Sequence, residues 1–257
     1  MREVLVGLVA ILDLCEYNHP PNIDNSYLEA AKNCWRIPMP YATRTGFDKG
    51  LQDIDEKIIR LGSLVDEAIE KSMRSLRERD VELAREVIDG DLVINDLRYE
   101  IEEQALLLFA TQQPTARDLR RLIADVHIAV ELERMGDHAE DIATLTERLE
   151  DEGEFDTLHK LPKMEKRARE MVQVAIEAFI KRDVDLARAL ITKDAKLDKH
   201  YYKVRTEVLD EMQSDPDYVR RASFLLWAGH DLERIGDRVT NIAERVIFMV
   251  TGEFVES

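Results

Sequence analysis

Along most of this chain apolar residues recur at intervals of three and four with polar residues between them, rather than in the alternation of a half-buried strand. Between 48 and 78, Leu61, Val65, Ala68, Ile69, Ser72 and Leu76 fall on one stripe, which predicts a helix. Asp80 stands where an N-cap belongs, and a second helix is expected from 81 to about 110, with an irregularity at Asp89-Gly90. Pro114 opens a third helix that reaches about Leu149. After the linker "EDEGEFDTLHKLP", Pro162 starts a fourth helix, Asp183 a fifth and Pro216 a sixth. The sixth is expected to end near Thr251-Gly252, a glycine C-cap. Short connections make sequential helices antiparallel.

The second half of this pattern repeats the first. "RDVELAR" at 79–85 returns as "RDVDLAR" at 182–188, with an offset of 103. "ELERMGDHAEDIA" at 131–143 returns as "DLERIGDRVTNIA" at 231–243, with an offset of 100. The three-residue difference falls between these segments, where the loops "ATQQPTARD" and "QSDPDYV" tolerate a change of length. The chain is therefore an internal duplication. An all-α fold is expected, of two three-helix bundles related by a pseudo-twofold axis, spanning 44–150 and 151–257.

The repeated motif places a glycine inside a helix each time, at a cost of about 1 kcal/mol relative to alanine. At about 100° per residue, Glu133, Asp137 and Asp141 follow one another on one face, continuing the apolar positions Leu119, Leu122, Ile123, Val126 and Val130. Glu233, Asp237 and Asn241 continue the position of Leu226 in the same way. A second helix in each half offers a matching pair, Asp91 with Asn95 and Asp194 with Asp198. Like charges at this spacing repel, and a hard multivalent cation on the carboxylates would relieve the repulsion. Gly136 and Gly236 would then let a neighbouring chain segment approach closely. A salt-bridge network through Arg134 and Arg234 explains the same letters without a metal, so the pattern leaves both readings open. His138 points away from Asp137 and suits an interhelix position. His127 and His230 have Trp227 and Val130 at their repeat positions, and packing roles are expected for both. Trp227 suggests an aromatic anchor.

Charge narrows the choice of partners. The formal net charge is −17, with 35% charged residues. Such a surface disfavours nucleic acid and anionic lipid, and suits cations or basic protein surfaces. Only two cysteines occur, Cys15 and Cys34, which excludes a disulfide framework and favours a reducing, cytoplasmic setting. "VLVGLVAIL" at 4–12 is apolar but too short to span a bilayer. Residues 1–43 are expected to be a dispensable extension outside the main fold.

Enzyme signatures are missing from the sequence. A di-iron oxidase would need Glu-x-x-His on two helices, and only His19 has a glutamate three residues before it, in the irregular N-terminal segment. No phosphate-binding loop Gly-x-x-x-x-Gly-Lys-Ser/Thr and no Gly-x-Ser-x-Gly elbow occurs. What remains is a duplicated, acidic, metal-capable helical protein without an evident catalytic group.

"QPTARDLRRLIADVHIAVELERMGDHAEDIA", "GHDLERIGDRVTNIAE" and "RDVELAREVIDGD" resemble the PhoU family of regulators of high-affinity phosphate uptake, over about 43–254. The resemblance implies two three-helix bundles, usually as a homodimer. It implies multinuclear iron or zinc clusters on Glu/Asp-x-x-x-Asp pairs, here Glu133 with Asp137 and Glu233 with Asp237, facing Asp91, Asn95, Asp194 and Asp198. Asp141 and Asn241 fall one turn further on. A cytoplasmic negative regulator of the phosphate-starvation response is also implied, acting on a membrane sensor histidine kinase and on the ATPase subunit of the phosphate transporter. The alternative is a metal-storage or metal-buffering protein with no phosphate role.

Overall fold

A computed structural model describes residues 44–149, 158, 160–215 and 218–255. Arg44–Ser257 forms one compact unit, distinct from Met1–Thr43. The expectations for residues 1–43, for most of the linker and for Pro216 fall outside the described residues. Among the described residues six helices follow one another: α1 Arg44–Glu78, α2 Val81–Gln112, α3 Ala116–Arg148, α4 Leu161–Lys181, α5 Val184–Ser214 and α6 Val219–Thr251. The described residues contain no strand. The all-α class and the twofold repetition read from the hydrophobic pattern are what the structure has.

The two bundles share their turn chemistry. Asp80 accepts the Leu83 N–H at 3.0 Å, and Asp183 accepts the Leu186 N–H at 2.9 Å. Just before each cap a left-handed residue, Arg79 (φ 57°) or Arg182 (φ 52°), reverses the chain. Gly252 ends α6 at φ 81°, with its N–H on the Phe248 carbonyl.

Three boundaries differ from expectation. α2 runs through Gly90 without a break, because the buried positions Val87, Asp91 and Ile94 keep their helical spacing across it. α3 begins two residues after Pro114, with Thr115 at the N-cap. α1 begins at Arg44 and is 35 residues long, whereas its counterpart α4 has 21. The additional turns of α1 bury Phe47, Leu51 and Ile54. They are tied to α2 and α3 by Gln104 Nε2 on the Gly50 carbonyl (3.2 Å) and by Arg121 Nη2 on Asp55 (2.5 Å).

The third helix of each bundle, α3 or α6, lies at the centre, and these two share the broadest helix–helix contact. α1 and α4 meet alongside them. There Asp66 pairs with Arg169, its own repeat equivalent, through two bonds of 3.0 Å. A central helix must bury more than one face. α3 therefore buries Leu122, Ala124, Ile128, Ala129, Leu132, Met135, Ala139 and Ile142. This corrects the stripe read from the sequence: of its five apolar positions only Leu122 is fully buried, and Ile123 is 42% exposed. No helix among the described residues is long and apolar enough to cross a membrane.

Candidate metal centres

Each bundle brings carboxylates together where its second helix crosses its third, and the motif glycines are the reason they can meet. A Cβ on Gly236 would lie 2.5 Å from Leu197 Cδ2 and 2.8 Å from Asp194 Oδ1. On Gly136 it would lie 3.1 Å from Ile94 and 3.2 Å from Asp91 Oδ1. The missing side chain thus seats the aspartate of the neighbouring helix against the backbone of the third helix.

In the first bundle Asp91 is buried, and its Oδ2 accepts the Asn95 amide at 2.5 Å. Burial holds the Asp91 carboxyl above its ordinary pKa, Asp137 adds to the rise, and the Asn95 hydrogen bond opposes it. Glu133 is raised by burial and by Asp137, against Arg98 at 3.5 Å. Glu140 joins the group, raised by burial and then by Asp91, Asp141 and Asp137.

In the second bundle, ligand atoms of Asp194, Asp198 and Asp237 all lie within 4.8 Å of one another. Burial pushes Asp194 up to about 6, with Asp198 and Asp237 adding to the rise and the Thr240 hydroxyl opposing it. Asp198 and Glu233 are raised by burial first and by Asp237 second. Arg234 does pair with Asp237, at 2.6 Å, as a salt-bridge network requires. It leaves Asp194 Oδ1 and Glu233 Oε2 buried with no hydrogen-bond partner, as Asp91 Oδ1 is in the first bundle, although His230 Nδ1 stands 3.6 Å from Glu233 Oε2.

The repeats share a composition by different residues. Asn95 stands where Asp198 does, and Glu140 where Thr240 does, so each group has four carboxylates and one neutral hydrogen-bonding side chain. Oxygen donors from two helices, some buried without a proton donor, suit a hard multivalent cation. Asp194, Asp198 and Asp237 bring their ligand atoms close enough to hold one, with Glu233 beside them, and so do His138, Asp141 and Asp231 at the seam between α3 and α6. Asp91, Glu133, Asp137 and Glu140 feel one another's charge without that convergence.

Two candidate residues lie elsewhere. Asn241 Nδ2 donates to Glu131 of the first bundle at 3.0 Å, beside an Arg238–Glu131 contact of 3.4 Å. Asp141 sits near His138 and Asp231, whose Nδ1 and Oδ1 are 3.2 Å apart. These two clusters are repeat equivalents across the bundle interface, with Arg238 and Asn241 in one where His138 and Asp141 stand in the other. His138 occupies the interhelix position expected of it. His127 is at the surface rather than packed, whereas His230, also exposed, lies with its ring 6.1 Å from Tyr201 and its Nδ1 3.6 Å from Glu233. Trp227 is 51% exposed, edge-on to Phe224. Glu140 and Asp231 were missed by the sequence reading. Glu140 was detectable as the residue seven positions after Glu133.

Fold and site together define a class: a duplicated three-helix-bundle protein that seats an aspartate with a buried inner oxygen on a helix glycine in each half. The PhoU domain family matches this chain over 58–146 and 161–246, and the chain belongs to that family. A phosphate-specific transport system accessory protein PhoU homolog of Clostridium acetobutylicum is 34% identical over 83% of this chain and 98% of its own length. A relative of the same description from Aquifex aeolicus is 36% identical over 81% of this chain and 94% of its own length. The crystal structure of PhoU from Pseudomonas aeruginosa superposes with a TM-score of 0.78 at 33% identity, covering 80% of this chain and all of that one. The phosphate transport system regulatory protein PhoU of Streptococcus pneumoniae gives 0.77 at 30% identity.

Proposed function

We propose that this protein is a non-catalytic accessory regulator of phosphate uptake that restrains the phosphate-starvation response. Its partners would be a membrane sensor histidine kinase and the ATPase subunit of a phosphate transporter, met from the cytoplasm by a homodimer. Support for the phosphate role comes from relatives at about one-third identity that are named phosphate-specific transport accessory proteins.

Metal binding is part of the same reading, with iron or zinc as the cofactor. The observation that carries it is the glycine-seated aspartate of each bundle, Asp91 or Asp194, with an inner oxygen buried and unpaired among further carboxylates. A bound cation would supply the positive charge that four clustered carboxylates lack. The protein's own part is to hold those oxygens together, bury an inner oxygen of Asp91 or Asp194 and keep Arg98 and Arg234 beside each group.

Two measurements test the reading. A strain lacking the protein should express phosphate-uptake genes when phosphate is plentiful, and normal repression there would reject the phosphate role. Protein purified without chelator should contain iron or zinc by elemental analysis. Asp91→Asn combined with Asp194→Asn should lose it. Unchanged metal content would leave the carboxylates as salt-bridge partners only.

A further inference from the structure

A groove between α4 and α5 gathers positive charge in a chain whose net charge is −17. Lys163, Lys166 and Arg167 reach it from α4, and Lys193 and Lys196 from α5, around a cavity of 360 Å³. The one carboxylate there is Glu170, 3.9 Å from Lys166. Lys163, Arg167, Lys193 and Lys196 have no ion-pair partner among the described residues. Several basic residues elsewhere in the fold are neutralised: Lys57 pairs with Glu100, Lys71 with Glu67 and Arg169 with Asp66.

The duplication supplies a control. The same groove exists in the first bundle, between α1 and α2, with a volume of 150 Å³. At the offset of 103, Lys166 corresponds to Ser63, Arg167 to Leu64, Lys193 to Gly90 and Lys196 to Val93, while Lys163 keeps a basic counterpart in Arg60 and Glu170 corresponds to Glu67. The lysine in the first groove, Lys71, is matched by Glu67 and Glu86. A bundle of this type therefore folds without cations at four of these five positions, Arg60 standing at the equivalent of Lys163. Their mutual repulsion in the second bundle is a cost that a bound anion would remove.

We propose that the α4–α5 groove binds a small polyanion carrying two or more linked phosphate groups. Five cations against one carboxylate leave four positive charges to match. A single phosphate group carries about −1.5 to −2, so one would leave the groove half neutralised. The Arg167 guanidinium presents a fork suited to phosphate oxygens, and the lysines act as mobile point charges around it. The volume is that of a small-ligand site. A long nucleic acid would run from this local patch onto the acidic remainder of the surface, where its phosphates are repelled. The proposal goes beyond the metal reading and does not depend on it: Asp194 Oδ1 lies against Gly236 of α6 and not among these lysines.

Isothermal titration of tripolyphosphate into the full chain tests it, in buffer with EDTA so that metal-held phosphate contributes nothing. Saturable binding with a Kd below about 1 mM is expected, at least about ten-fold tighter than inorganic phosphate and weakening steeply with salt. ATP is the second arm. An affinity equal to that of tripolyphosphate means the phosphate chain alone is recognised, and a higher one that a nucleotide carries it. R167L/K196V places in this groove the residues the first bundle already uses and should weaken tripolyphosphate binding at least ten-fold. Should that variant fail to fold by circular dichroism, K193Q on an exposed side chain replaces it, with at least a three-fold loss expected. Absence of saturable binding, or wild-type affinity in the folded variant, overturns the proposal.

Discussion

Gly236→Ala and Gly90→Ala make the same chemical change inside long helices, and their stabilities should move in opposite directions. In either helix the added methyl removes the backbone-entropy penalty of glycine, a gain of about 1 kcal/mol. Around Gly90 nothing lies within 4 Å of the new Cβ, so most of that gain should appear as a melting temperature about 1–4 °C higher for a body of this size. Around Gly236 the methyl would meet Leu197 Cδ2 at 2.5 Å and Asp194 Oδ1 at 2.8 Å. Leu197 is fully buried, so the methyl must displace a packed side chain. Overpacking of this kind costs about 1–3 kcal/mol, which outweighs the propensity gain and leaves a net loss of about 1 kcal/mol. The two variants should differ by about 4 °C in thermal melts followed by circular dichroism with chelator present. Gly136→Ala, with its nearest contacts at 3.1 and 3.2 Å, should fall between them. A Gly236→Ala protein that melts at or above the wild-type temperature would refute the argument that this glycine exists to seat Asp194.

Asp125 is fully buried on α3, and burial pushes its pKa up to about 8, against the pull of Arg121. The folded state thus holds a proton that the unfolded chain releases near 3.8, so this group's contribution is complete below that pH and lost as pH rises towards 8. The slope is about 1.4 kcal/mol per pH unit inside that window. Asp125→Asn should reduce the fall in urea-unfolding stability between pH 6 and 8 by about 2 kcal/mol, and an unchanged profile would contradict the shift. Asp80→Ala and Asp183→Ala each delete an N-cap and should each lower stability by about 1 kcal/mol, nearly additively in the double variant because the caps belong to different bundles. Metal affinity, read by thermal shift with added zinc, should fall as pH drops through about 6, where Asp194 takes up a proton that competes with the ion. A pH-independent shift would place the ion elsewhere.

The periodicity of apolar residues, the aspartate caps and the offsets of 100 and 103 between repeats contain the six helices and their duplication. These features are local: a stripe at helical spacing must be buried whatever its partner, and an N-cap acts on the turn next to it. Much of the carboxylate groups was legible for the same reason, since Glu133 and Asp137 share helical spacing on α3, Asp91 and Asn95 share it on α2, and Gly136 invites a neighbour. What the chain order could not convey is which side of α3 faces which helix. Each i, i+4 step drifts by about 40° from the true helical repeat. Two steps carry Asp141 and Asn241 about 80° from Glu133 and Glu233, out of their own bundle's group and into the seam between α3 and α6. A step of seven drifts only about 20°, and so Glu140 and Thr240 return to the site. The pairing of Asp66 with Arg169 and the convergence of five basic side chains between α4 and α5 likewise depend on how separate helices pack. Helical spacing determines faces; only the packing of three helices around each central one decides what each face meets.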